Sequence, residues 1–191
     1  MDYKGLLHRA ILLLTVPGKA WKEIAEEEDR RRVLPAFVYP MMGLCGLSVF
    51  IGTLLAGDGL AAPVFQRAMT SCCAVFVSLF GGYFLAAYGI NQLGMKLFGQ
   101  EDDVQQAQQL GGYSLVVTFL LDIIVGLFPG FLILSWILQF YLVYVVWEGV
   151  RVLVAIADNR QLPYTVMASV LLIACPALID FVFDKLMNWL D

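Results

Sequence analysis

Apolar residues occur in five long runs that short charged or glycine-containing segments separate. A helix that spans a membrane needs roughly 20 mostly apolar residues, because roughly 30 Å of hydrocarbon is covered at about 1.5 Å per residue. Each run approaches or exceeds this length. The pattern therefore predicts an all-α polytopic membrane protein, a five-helix transmembrane bundle with spans at about residues 33–56, 68–93, 110–128, 131–152 and 162–183.

The residues before the first span have a different pattern. Apolar side chains recur at helical spacing between Leu6 and Leu14, with charged side chains on the other flank. This pattern is typical of an amphipathic helix that lies in the membrane interface. Pro17 suits the first turn of a second short helix, in which Trp21 and Ile24 share a face.

A signal peptide with a short apolar region before Ala20 is the competing interpretation of this segment. The charged, helix-like stretch that follows favours a retained leader instead. We therefore divide the chain into a cytoplasmic amphipathic leader, residues 1–32, and a five-span transmembrane domain, residues 33–191.

The amino-acid composition supports a lipid environment and argues against a nucleic-acid partner. The chain has 191 residues, of which 60% are hydrophobic and 15% are charged. Soluble domains are about 45–50% apolar and about 25% charged, so this chain lies outside that range. Its net charge of −4 gives no overall basic surface, and we therefore expect lipid contact and no nucleic-acid binding.

Basic residues are distributed unequally between the two predicted sides of the bundle. Ten Lys and Arg residues lie on the side of the leader, and two lie on the other side. Cytoplasmic loops carry an excess of Lys and Arg. The distribution predicts a cytoplasmic N-terminus and, with five spans, a C-terminus outside.

Three arginines, Arg30, Arg31 and Arg32, immediately precede the first span. Juxtamembrane arginines interact with anionic lipid head groups and fix topology. We interpret these arginines first as such a head-group anchor and second as a surface for a partner protein.

Asp122 is the only carboxylate predicted deep inside a span, about 18 Å along the helix from Leu110. An ionisable group at that depth is costly and faces the protein interior or a wet cavity. Gln139 lies at a similar predicted depth across the turn at Pro129. One hypothesis is a hydrogen bond between Asp122 and Gln139, and the other is a proton or cation site in a conduit.

The sequence lacks the residue sets of common enzymes. Its only histidine is His8, and the four cysteines lie singly or adjacent within apolar runs, so no Cys/His metal site is expected. Glu27 and Glu28 with Arg32 reproduce the Glu-Glu-x-x-x-Arg string of intramembrane CAAX-type proteases, but the string precedes the first span and lacks the needed histidines. We expect no catalytic residue, cofactor or metal.

Small residues recur every fourth position in the first two spans, for example at Ser48 and Gly52, and at Ser78, Gly82 and Ala86. Such stripes let helix backbones approach closely in lipid. We predict that they pack within the bundle, and they also permit self-association as a homo-oligomer.

Several proline, aromatic and glycine positions together resemble a known family. They are Pro17, Trp21 and Ile24 before the first span, Pro35 at its start, Gly112-Tyr113-Ser114 in the third span, Pro129 in the hairpin and Pro163 before the fifth span. With these features the chain is similar to a compact, prokaryotic-type member of the Yip1 family of five-span membrane proteins.

The resemblance implies five helices and a cytosolic N-terminus, and the prokaryotic type implies the cytoplasmic (inner) membrane. Eukaryotic relatives are linked to Rab GTPases through a longer N-terminal segment with an Asp-Leu-Tyr-Gly-Pro motif. That motif is absent from this sequence, so the resemblance does not extend to Rab binding.

Two functions remain open at this stage. The first is a non-enzymatic protein that organises membrane or partner proteins through its cytoplasmic leader. The second is a small transporter, channel or lipid-moving protein with a polar path around Asp122, Gln139, Asn91 and Gln92. A cavity that reaches Asp122 would favour the second function, and a dry bundle would favour the first.

The predicted orientation can be tested with reporter fusions to the C-terminus. We expect a fused alkaline phosphatase to be active and a fused green fluorescent protein to be dark, because an odd number of spans places Asp191 outside. The reverse pattern would mean an even number of spans or an inverted orientation.

Overall fold

The computed structural model describes residues 3–27, 29–57, 61–154 and 156–190. Within these ranges the chain is helical and contains no β-strand. The helices are α1 Tyr3–Thr15, α2 Pro17–Ala25, α3 Tyr39–Ala56, α4 Ala62–Phe98, α5 Val104–Ser114, α6 Val116–Leu127, α7 Leu132–Leu138, α8 Tyr141–Leu153 and α9 Asp158–Leu190.

Four of the described helical segments are long and apolar enough to cross a membrane: Arg30–Ala56, Ala62–Phe98, Val104–Leu127 and Asp158–Leu186. A fifth candidate consists of two helical pieces, Pro129–Leu138 and Tyr141–Leu153, which are bent by 42° relative to each other. The all-α polytopic class is thereby confirmed. Several helices extend beyond the predicted spans, because polar turns continue them past the apolar runs.

Local sequence signals explain where α4 begins and ends and where α5 begins. Pro63 lies in the first turn of α4, where its missing N–H costs nothing. Gly99 ends the helix with a φ of 67°, and the N–H of Gln100 donates to the Gly94 carbonyl at 3.0 Å. The Asp103 carboxylate then accepts from the Gln106 N–H at 2.9 Å and caps α5.

Two predicted small-residue stripes are packing surfaces in the structure. Gly82 of α4 lies against the backbone of Pro176 in α9, where an added Cβ would overlap that backbone. Gly52 of α3 likewise lies against the carbonyl of Gly126 in α6. Helices in lipid have no hydrophobic driving force to associate with each other. Close packing of their backbones at small residues holds them together instead.

The leader packs onto the bundle through Trp21, which is fully buried. Its indole N–H donates to the Val145 carbonyl of α8 at 2.9 Å. A Cβ at Gly149 would come within 2.7 Å of the indole ring, so the glycine makes room for the tryptophan. The predicted shared face of Trp21 and Ile24 is present, since both side chains are buried on α2.

The other leader helix, α1, is buried on one side and exposed on another. Ala10 and Leu13 belong to the same hydrophobic core as the bundle. Leu7 and Ile11 are 60% and 56% exposed, which suits a helix in contact with lipid at the membrane surface. The leader and the spans therefore share one core.

Replacing Trp21 should undock the leader. We expect Trp21→Ala to lower the free energy of unfolding by about 3–5 kcal/mol, because it removes a fully buried aromatic side chain. Helicity at 222 nm during heating in detergent measures the effect. Trp189→Ala is the matched control, since Trp189 is 83% exposed, and equal losses in the two variants would contradict the docking.

Candidate functional site

The break in the fourth span opens space at one end of the bundle. We call this end the distal half: it contains the end of α3, the start of α4 and the turn between α6 and α7. Helix α8 buries Leu142, Val145 and Val146 in the core, whereas every residue of α7 is exposed or half-buried. Helix α7 therefore leans away from the bundle, with the bend between Leu138 and Tyr141.

A cavity of about 1010 Å³ lies in the distal half, between α3, α4, α6, α7 and α9. We call it the distal cavity. Its walls are mainly apolar, but polar side chains enter from all five helices. These are Thr53, Arg67, Ser78, Thr118, Asp122, Ser135, Gln139 and Asp180.

Both intramembrane residues predicted as a polar site, Asp122 and Gln139, line the distal cavity. Their predicted direct hydrogen bond is not found among the described residues. Instead the Gln139 amide donates to the Thr118 hydroxyl at 2.8 Å, and Thr118 lies one helical turn before Asp122. The bend beside Gln139 places its amide level with Thr118, so the hypothesis of a bond to Asp122 has no support among the described residues.

The Asp122 carboxyl is half-buried in the cavity wall. Within the described ranges the structure gives it no hydrogen-bond partner. The carboxyl of Asp180 on α9 lines the same cavity. The arrangement leaves the Asp122 carboxyl available to a molecule inside the cavity.

Sequence reasoning missed Asp180 and Arg67 as residues of this site. Asp180 lies near the end of the predicted fifth span and Arg67 immediately before the second, positions at which a charged side chain is ordinarily solvated. The available signal was spacing, because Ile173, Pro176, Ala177 and Asp180 follow one another at helical intervals on one face of α9 and all line the cavity.

The two other residues of the predicted polar path do not line the distal cavity. Asn91 lies near the end of α4 at the leader side, where its amide donates to the Asp102 carboxylate at 2.7 Å. Its side-chain oxygen accepts from the Asp103 N–H at 3.1 Å. Asn91 therefore fixes the turn between α4 and α5. Gln92 is adjacent to it and is half-buried.

The three leader arginines have different surroundings. The Arg30 guanidinium pairs with the Asp103 carboxylate at 2.5 Å. Two nitrogens of the Arg31 guanidinium donate to the side-chain oxygen of Gln105, at 2.9 and 3.0 Å. The Gln105 amide is oriented so that its oxygen faces the arginine. Arg32 instead lines a separate cavity of about 530 Å³ beside α1.

A second polar cluster ties the leader to α5. Arg9 forms an ion pair with Glu27 and donates to the Tyr113 hydroxyl at 2.7 Å. The Tyr113 hydroxyl donates to Glu27 at 3.2 Å. Glu27 of the protease-like string thus has a structural partner, while Glu28 lies outside the described residues.

The remaining potential metal ligands form no cluster in the part of the chain that the structure describes. No group of three or more His, Cys, Asp or Glu side chains there could hold a metal ion. Cys45 and Cys175 are buried, and Cys72 is half-buried.

Four or five candidate membrane-spanning helices around one core define a polytopic, all-α integral membrane protein. A family model described as the Yip1 domain matches residues 11–179. The chain belongs to the Yip1 family, as its sequence resemblance predicted. Comparisons with curated proteins and with solved structures find no match.

The bond between Gln139 and Thr118 should stabilise the broken span. We expect Thr118→Val to lower stability by about 1 kcal/mol, because it leaves the Gln139 amide without an acceptor in the membrane. Denaturation in mixed detergent measures the change. In the double variant with Gln139→Leu, the two losses should be less than additive.

Thr53→Val is the matched control for Thr118→Val. The Thr53 hydroxyl also lines the distal cavity, but it bonds only to the Val49 carbonyl of its own helix. A loss in Thr53→Val as large as that in Thr118→Val would contradict a role for the interhelical bond.

Proposed function

We propose that this Yip1-family protein binds a small amphiphile with a positively charged or zwitterionic head group in the distal cavity. It would then act as a non-enzymatic membrane carrier or lipid-moving protein. The single observation that supports the proposal is the cavity itself, whose lining includes Asp122, Asp180 and Gln139 from three candidate spans.

The size of the distal cavity supports such a ligand. Pockets for small molecules span roughly 300–1,000 Å³ and combine apolar walls with a few polar groups. The cavity of about 1010 Å³ lies at the upper end of this range. It offers room for a head group together with part of an acyl chain.

The charges in the distal cavity support the head-group class. Its described lining contains two carboxylates, on Asp122 and Asp180, and one guanidinium, on Arg67. A carboxylate away from water is stabilised by a cationic partner. An ammonium group of the ligand would form ion pairs with the carboxylates, and a phosphate in the same ligand would form charge-assisted hydrogen bonds with Arg67.

The leader offers less support for a partner-recruiting function than the sequence suggested. Arg30 and Arg31 bond to α5 residues, and Trp21 is buried in the bundle. One observation still favours a partner-organising role as the second candidate: the outward face of α2 is exposed and charged at Lys19, Lys22 and Glu23.

Neutral substitutions of the cavity carboxylates test the proposal. We expect Asp122→Asn and Asp180→Asn to weaken binding of short-chain phosphatidylethanolamine or an alkyl-trimethylammonium about tenfold, because each removes a carboxyl group that can ionise opposite the cationic head group. Ligand-induced stabilisation of the purified protein reports the affinity.

Asp184→Asn is the matched control, since Asp184 is an exposed carboxylate one turn beyond Asp180 on α9. It should leave the affinity unchanged. Unchanged affinity and unchanged liposome flux in Asp122→Asn would contradict the cavity proposal. A stoichiometric bound protein in native mass spectra, with no amphiphile, would favour the second candidate.

A further inference from the structure

A second cavity lies at the opposite end of the bundle from the distal cavity, between α1 and the start of the first span. Its volume is about 530 Å³. We call it the leader cavity. Residues that line it include Leu6, Arg9, Arg32, Pro35, Pro40 and Tyr113.

The guanidinium of Arg32 supplies one positive charge to the lining of the leader cavity. Arg32 is exposed, and no hydrogen bond or ion pair of its guanidinium is found within the described ranges. Its neighbours in sequence, Arg30 and Arg31, instead bond to Asp103 and Gln105 on α5. The arginine run is therefore divided between a structural contact and an open cavity.

Arg9 supplies a second positive charge to the same cavity. Burial lowers the pKa of Arg9, but Tyr113 and Glu27 raise it by more, so the net pKa lies above its ordinary value. The Arg9 side chain is held in place by Glu27 and the Tyr113 hydroxyl. Two guanidinium groups face one carboxylate here, which leaves the cavity with a net positive charge.

The leader cavity has a charged wall next to an apolar wall, as suits the boundary between the head groups and the acyl chains of a membrane. Arg32 immediately precedes the first apolar run, while Pro35 and Pro40 contribute apolar surface within it. Leu7 and Ile11 on the adjacent helix α1 are exposed apolar side chains, as expected for a helix at the membrane surface.

We propose that the leader cavity binds the phosphate head group of an anionic phospholipid, with Arg32 and Arg9 as its ligands and the proline-lined wall against its glycerol and acyl chains. Guanidinium groups bind phosphate through paired, charge-assisted hydrogen bonds. Basic pockets between helices on the cytoplasmic side are a known form of lipid head-group site. The site is independent of the distal cavity.

The test compares short-chain phosphatidylglycerol with phosphatidylcholine of the same chain length on the full-length protein in detergent. We expect Arg32→Gln to weaken phosphatidylglycerol about tenfold, with little effect on phosphatidylcholine, whose zwitterionic head group the distal cavity is proposed to hold. Arg32→Lys keeps the charge but loses the paired donors, so we expect an intermediate loss. Native mass spectrometry measures each affinity.

Arg160→Gln is the matched control, because Arg160 is an exposed arginine on the same predicted side, outside the leader cavity. It should leave phosphatidylglycerol affinity unchanged. Equal losses in Arg160→Gln and Arg32→Gln would overturn the site in favour of general charge attraction. A loss of phosphatidylcholine affinity in Arg32→Gln as large as the loss of phosphatidylglycerol affinity would also overturn it.

Soluble glycerol phosphate separates a lipid from a free phosphate ligand. We expect it to bind at least tenfold more weakly than phosphatidylglycerol, because it lacks the acyl chains that contact the apolar wall. Equal affinity would overturn the lipid assignment. Asp122→Asn should leave phosphatidylglycerol binding intact, so failure of the distal-cavity proposal would be seen separately.

Discussion

The position of Trp21 between α8 and α5 is the constraint on which the arrangement of the leader depends. A tryptophan has a large apolar surface and one N–H that needs an acceptor when buried. Both needs are met here, by the Val145 carbonyl and by the space above Gly149. With the indole in that place, the leader is held against the spans, and Arg9 can reach Tyr113 and Glu27.

The two ends of the bundle differ in packing: an aromatic core lies on the leader side beside the smaller leader cavity, and the larger cavity opens the distal half. On the leader side, the largest fully buried side chains, including Trp21, Tyr113 and Phe37, pack on one another. On the distal side, α7 leans away and leaves the cavity that contains Asp122. The proposed ligand in the open half therefore need not disturb the core, and among the described residues the Asp122 carboxyl there has no hydrogen-bond partner.

The sequence predicted the membrane class, the family and the face of α2, because hydropathy and helical periodicity are local properties. It also identified Asp122 and Gln139. It could not show that Gln139 pairs with Thr118, since that depends on the bend of the fourth span. For the same reason it missed Asp180 and could not separate Arg32 from its neighbours, which requires knowing where α1 and α5 lie.

Hydrogen exchange of the leader in lipid nanodiscs tests the central claim most directly, because the claim is that the leader is part of the folded bundle. Exchange reports the free energy of opening for each helix. If α2, Pro17–Ala25, is docked by Trp21, its amides should exchange nearly as slowly as those of α8. Exchange of α2 at the rate of an unstructured peptide, with α8 still protected, would contradict the account.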